Sequence, residues 1–234
     1  MTINNLIKEI RQQKDPARAE SNLWFFKTGK GQYGEGDKFL GLTMGQLRTL
    51  AQKYVDLSLP ELEKLIKSKF HEDRMAGLLI LTYKYPKADP SAKKQIYDFY
   101  IKNRKAANNW DLVDVTVPNV IGEYLLHHDR KILYQFAKSK DLWEKRIAVL
   151  ATFTFIRRGD FTDNLKIAKI LLHDDHDLIH KAVGWMLREV GKRDLPLLEK
   201  FLKPIYNEMP RTMLRYTIEK FPKPKYQKYL KGKI

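Results

Sequence analysis

Apolar residues recur at three- and four-residue steps along most of the chain, and the runs are separated by residues that start helices. The pattern predicts helices near residues 43–54, 58–69, 71–84, 89–103, 109–125, 129–139, 141–157, 162–172, 176–190, 194–202 and 208–220. Two more precede them at 2–14 and 16–27, the second opened by Asp15 as N-cap with Pro16 at its first position. Ser58 and Glu61 have capping-box spacing, Asp89 precedes Pro90, and Asn109, Asp129, Asp141 and Asp194 are further N-cap candidates. No strand pattern emerges. The connections are short, roughly two to six residues, which favours antiparallel neighbours. The exception is residues 29–37, Gly-Lys-Gly-Gln-Tyr-Gly-Glu-Gly-Asp, too rich in glycine for a helix and lacking the Gly-Lys-Ser/Thr lead into a helix of a phosphate loop. This segment reads as a flexible surface loop.

The helical pattern repeats. Arg74-Met75-Ala76-Gly77-Leu78, Trp110-Asp111-Leu112-Val113-Asp114, Arg146-Ile147-Ala148-Val149-Leu150 and Lys181-Ala182-Val183-Gly184-Trp185 align with starts 36, 36 and 35 residues apart, the period of a helical solenoid. The fold expected is all-α: a single α-solenoid domain over residues 1–234, its antiparallel helix pairs stacked into a C-shaped, HEAT-like array with a basic concave face. The second unit breaks the pattern. Trp110 stands where the other three have a cation, and Asp114, one turn on and on the same helix face, stands where they have Leu78, Leu150 or Trp185. Pro118 has no N–H to give the carbonyl of Asp114, so a kink is expected there. Local rules broken this densely mark a functional stretch.

Composition narrows the chemistry. With 234 residues, 43% of them hydrophobic, the chain can bury a real core. It has no cysteine, which rules out disulfides, thiolate metal sites and a thiol nucleophile. The amino-terminal stretch lacks a signal-peptide core and no apolar run approaches about 18 residues, so a cytoplasmic location without membrane contact is expected. The charge is the strongest bulk signal. Forty-four Lys and Arg against 28 Asp and Glu give a net +16, a potential that draws polyanions. A nucleic acid is the expected partner, and a merely soluble lysine-rich surface is the alternative. A membrane surface would want one basic amphipathic helix, and these cations are spread over every unit.

Asp114 between Trp110 and Trp185, in a basic groove, could stabilise a cation that develops during reaction, as the oxocarbenium-like sugar of a breaking glycosidic bond requires. The competing explanation is an Asp satisfied by a local partner with both tryptophans in the core. Lys145, Arg146, Lys181 and Arg188 recur at unit-equivalent or adjacent turns, as phosphate contacts along a duplex would; solvated surface is their alternative. Asp111 reads as a first-turn partner of the helix dipole. His173, His176 and His180, interspersed with Asp174, Asp175 and Asp177, fit a helix start better than a metal site.

Trp110-Asp111-Leu112-Val113-Asp114 with Val117-Pro118, Leu142-Trp143-Glu144-Lys145-Arg146, and the stretch from Lys181 to Glu189 resemble the bacterial DNA alkylation-repair glycosylases of the AlkD type. The resemblance runs from Ala19 to about Phe221 and is weakest around residues 29–37. It implies Asp114 as catalytic carboxylate, Trp110 and Trp185 as the pair against the deoxyribose of the lesion, and Arg146 as phosphate ligand. It also implies excision of cationic N3- and N7-alkylated purines, such as 3-methyladenine and 7-methylguanine, without a base-binding pocket. The family often has a tyrosine on the second helix where this chain has Phe25. The expected partner is double-stranded DNA with alkylated bases, bound by a monomer that uses no cofactor and no metal. The alternatives are a non-catalytic binder of DNA structures on the same scaffold and a solenoid that takes an acidic protein partner.

Overall fold

The structure, a computed structural model, describes residues 1–234. It is all-helical: α1 (Ile3–Gln12), α2 (Pro16–Phe25), α3 (Met44–Lys53), α4 (Leu59–Ile66), α5 (His71–Lys84), α6 (Pro90–Lys102), α7 (Trp110–Val117), α8 (Glu123–Leu125), α9 (Lys131–Ala137), α10 (Leu142–Arg157), α11 (Thr162–Ile170), α12 (Asp177–Gly191), α13 (Leu195–Leu202), α14 (Arg211–Thr217) and α15 (Lys223–Leu230). The punctuation in the sequence sets most of these starts. Asp15, Asp89, Asp141 and Asp194 accept backbone N–H groups of their helices' first turns, and Thr43 and Ser58 form capping boxes with Gln46 and Glu61. Asp129 falls one residue short of the cap position, held by Arg130, and accepts from the N–H of Lys131 instead. Helix α15 was not expected. Pro224 sits in its first turn, where a missing N–H costs nothing. The departure from regular helix expected at Pro118 occurs as a π-helical turn, Pro118–Gly122, that joins α7 to α8. No helix is long and apolar enough to cross a membrane.

Contacts divide the chain into two compact units, Met1–Tyr124 and Leu125–Ile234. In the first, α5 is the central element. Every residue from His71 to Leu81 is buried, and α1, α3, α4 and α7 pack around it. Each fully buried Leu or Ile there, such as Leu78, Leu79 and Ile80, stabilises by about 1.5–3 kcal/mol through lost apolar exposure. In the second, α10 and α12 are central, with α9, α11, α13 and α14 around them. Gly184 permits a close backbone approach there: a Cβ would stand 2.6 Å from the carbonyl oxygen of Met213 and from Cβ of Tyr216.

Within each unit the repeat-equivalent helices stack, α5 on α7 and α10 on α12. The arginines at the first repeat position tie these stacks together. Arg74 and Arg146 are each only 5% exposed. Arg74 donates to the carbonyls of Ser68 and Ala106, and Arg146 to that of Leu178 at the start of α12. A buried guanidinium with carbonyl and carboxylate partners is satisfied without solvent.

The segment 29–37 is also anchored more firmly than a flexible surface loop. A Cβ on Gly34 would stand 2.4 Å from the carbonyl oxygen of Phe26, so only glycine fits. Asp37, at the end of the segment, is buried. The backbone beyond it is held by the start of α5: the N–H of His71 donates to Lys38 at 2.8 Å, and the carboxylate of Glu72 accepts from the N–H groups of Leu40 and Gly41 at 2.9 and 2.8 Å.

Candidate functional site

In the first unit, α7 starts at Trp110, whose N–H is capped by Asn109 at 2.9 Å, and carries Asp114 one turn later. Both side chains are half-buried, whereas the equivalent Leu78 and Leu150 are wholly buried. The indole of Trp110 stacks on Phe26 with centroids 5.5 Å apart and meets the edge of Phe25 at 5.8 Å. Phe25 is 52% exposed and its neighbour Trp24 75%, with Lys27 4.4 Å over the Trp24 ring. The structure therefore brings Phe25 to Trp110.

Phe25, Phe26, Phe39, Leu47 and Met75 line a cleft of about 250 Å³ whose polar lining includes Asn22, Arg18, His71, Glu72 and Asp111. His71 is 3% exposed, packs on Phe39 and Phe26 at 4.7 and 5.1 Å, and is held from both ring nitrogens. Nε2 faces Asp111 at 2.8 Å and Nδ1 faces Asp37 at 3.2 Å; Asp37 in turn binds Arg74. Burial alone would disfavour the imidazolium. The two carboxylates outweigh it and push the pKa of His71 up to about 9. Asp37 lies below the usual carboxylate range, because its bonds to His71 and Arg74 outweigh its own burial.

None of this network was expected from sequence, which reads Asp111 as a partner of the helix dipole. Its Oδ1 does accept the N–H of Leu112 at 2.9 Å, but Oδ2 belongs to His71. The overlooked signal is the run His71-Glu72-Asp73-Arg74 leading into an unbroken apolar stretch. All four residues are buried, and Asp73 takes Arg11 through two bonds of 2.7 and 2.6 Å.

In the second unit, Lys181, Trp185 and Arg188 lie on α12. Trp185 is half-buried, with Phe153 5.8 Å from it and the guanidinium of Arg157 4.0 Å over the Phe153 ring. The cations there have acidic partners: Lys181 pairs with Asp177 at 2.6 Å, Lys145 with Asp174, and Arg188 with Glu219. Nε of Arg188 is buried without a hydrogen-bond partner. His176 is the N-cap of α12, its Nδ1 accepting from Leu178 at 3.1 Å, while Asp174 accepts the N–H of His176. His173 is exposed, 3.7 Å from Glu208. No group of three His, Asp or Glu side chains is placed to share a metal ion.

These features define an all-α protein whose repeat-equivalent helices stack and whose exceptional repeat pairs a carboxylate with an aromatic wall. The profile of the family described as DNA alkylation repair enzyme matches residues 6–221, and the chain belongs to that family. Two solved structures share the fold. A predicted DNA alkylation repair enzyme from Enterococcus faecalis superposes with a TM-score of 0.71 at 16% identity, over 90% of this chain and 98% of its own. AlkD2 from Streptococcus mutans gives 0.55 at 19% identity, over 94% and 96%. No curated protein matches the chain.

Proposed function

We propose that the protein is a DNA glycosylase that releases cationic N3- and N7-alkylated purines from duplex DNA as the first step of base excision repair. Asp114 carries the reading. It is a half-buried carboxylate one turn from Trp110, at a position that two sister repeats fill with buried leucine and the third with Trp185. An alkylated purine already bears positive charge, so the C1′–N bond breaks with its electron pair passing to the base and little acid catalysis is needed. Positive charge then develops on the sugar. A fixed carboxylate stabilises it, and water adds its oxygen to C1′ and gives up a proton.

In this reading Trp110, Phe25 and Trp185 contact the deoxyribose of the lesion, and no pocket takes the base. Arg188, Lys181, Lys145 and Arg146 contact phosphate. For the first three this means exchanging an acidic partner for a phosphate oxygen. The enzyme acts as a cytoplasmic monomer and needs no metal or cofactor. The test is release of 7-methylguanine or 3-methyladenine from alkylated duplex DNA by the purified protein, with release expected and none counting against the reading. The second reading is a non-catalytic binder of DNA structures, favoured by Phe25, which lacks a phenol hydroxyl. It predicts duplex binding with a steep salt dependence and no turnover.

A further inference from the structure

We propose that His71 is the positioning residue of this site: held between Asp37 and Asp111, it locks the segment after α2 onto the first turn of α7 and thereby sets the aromatic wall of Trp110, Phe25 and Phe26. As a statement about catalysis, this rests on the glycosylase reading; as a statement about Trp110, it does not.

Asp111 follows Trp110 directly in the chain, so whatever fixes its side chain fixes the turn that aims the indole. The bond from His71 Nε2 to Asp111 spans 40 residues of sequence, and the one from Nδ1 to Asp37 spans 34 in the other direction. One imidazole therefore joins three segments that have no covalent reason to meet. Its faces pack on Phe39 and Phe26, and Phe26 is the ring that stacks on Trp110. Gly34 seats the intervening loop on the carbonyl of Phe26, so the wall and the clamp share one backbone.

Both contacts require the imidazolium. A neutral ring has one N–H and one lone pair, and the lone pair would face a carboxylate oxygen at hydrogen-bond distance. The other charges around the ring are already engaged. Arg74 binds Asp37, Glu72 accepts from Leu40 and Gly41, Asp73 holds Arg11, and Arg18 at the cleft pairs with Asp15. No other cation is bonded to Asp111 in place of His71. Loss of the proton would thus release one end of the bridge, Asp111 or Asp37, while the rest of the network held.

The experiment compares wild type with His71→Gln in three measurements. These are single-turnover release of 7-methylguanine per folded molecule, affinity for undamaged duplex, and the near-ultraviolet circular dichroism of Trp110, isolated by difference against Trp110→Phe. We expect the Trp110 signal to collapse in His71→Gln and release to slow by about tenfold or more, since small misplacement at a reacting centre is costly. Undamaged-duplex affinity should change by no more than roughly twofold, because phosphate contacts dominate it. Wild-type release should fall as pH rises through about 9, and the His71→Gln profile should lack that fall.

An unchanged Trp110 signal, or equal release by folded His71→Gln, overturns the proposal. If His71→Gln does not fold, the wild type decides: its Trp110 signal must change with a midpoint near pH 9, and a flat signal overturns the proposal. Should the wild type release no base at any pH, the glycosylase reading fails, and the Trp110 signal still accepts or rejects the positioning role.

Discussion

Trp110 and Phe26 lie ring on ring, 5.5 Å apart with 22° between their planes, and this contact, with the edge of Phe25, joins α7 to the end of α2. The indole is neither free on the surface nor sealed in the core. It is braced from behind by Phe26 and from the side by Phe25, and part of it reaches solvent. A braced, half-exposed aromatic beside a carboxylate suits contact with a sugar better than either extreme.

Replacing each tryptophan separates contact from packing. A fully buried Trp→Ala change costs about 3–5 kcal/mol, so half-buried Trp110 and Trp185 should cost less. We expect Trp110→Ala and Trp185→Ala to fold and to excise poorly, with denaturant unfolding measured beside single-turnover rates. A full core-sized loss of stability, with specific activity of the folded fraction intact, would make the tryptophans scaffold.

Asp114→Asn keeps the shape of the side chain and removes its charge. Excision should fall by about two powers of ten or more, the scale of one preorganised electrostatic group, while duplex affinity holds. Release of 7-methylguanine at nearly the wild-type rate would remove Asp114 from the mechanism.

Arg146 has two competing roles that one variant distinguishes. Its bond to Leu178 ties α10 to α12, and Arg146→Ala should cost about 1–3 kcal/mol by leaving a part-buried carbonyl without its donor. Contact with phosphate predicts, in addition, uniformly weaker duplex binding and a salt slope shallower by about one. Lower stability with an unchanged salt slope would leave Arg146 a packing tie alone.

The order of helices and most of their starts were legible because caps act within a few residues: Asp15, Ser58, Asp141 and Asp194 announce helices from neighbours alone. Pro118 announced its break for the same reason. The carboxylate at Asp114 was legible only through the internal repeat. What sequence hid was the His71 bridge, whose two partners stand 34 and 40 residues away. A charged run at a helix start is ordinarily solvated, and a glycine-rich segment ordinarily loose. Here burial inverts both. Asp37 closes the loop onto Arg74 and His71, and Arg74 and Arg146 turn inward to carbonyls, which no local pattern distinguishes from a cation facing water.

The same bridge makes stability depend on pH with a definite sign. The pKa of His71 rises from the ordinary 6.5 up to about 9 in the fold, so the native state holds a proton that the unfolded chain releases. Its contribution is complete below about pH 6.5 and is lost as pH rises through about 9. The loss is about 3–4 kcal/mol at most, since each tenfold gain in proton affinity is worth about 1.4 kcal/mol. Urea midpoints measured from pH 6 to 10 should therefore fall between about pH 6.5 and 9 and level off above it, before most lysines and tyrosines titrate. In His71→Gln that decline should be absent, and the variant should approach wild-type stability most closely at high pH, where the wild type too has lost its imidazolium. Parallel declines in both proteins would mean that the proton leaves some other group, and that the pair of carboxylates does not hold His71 charged.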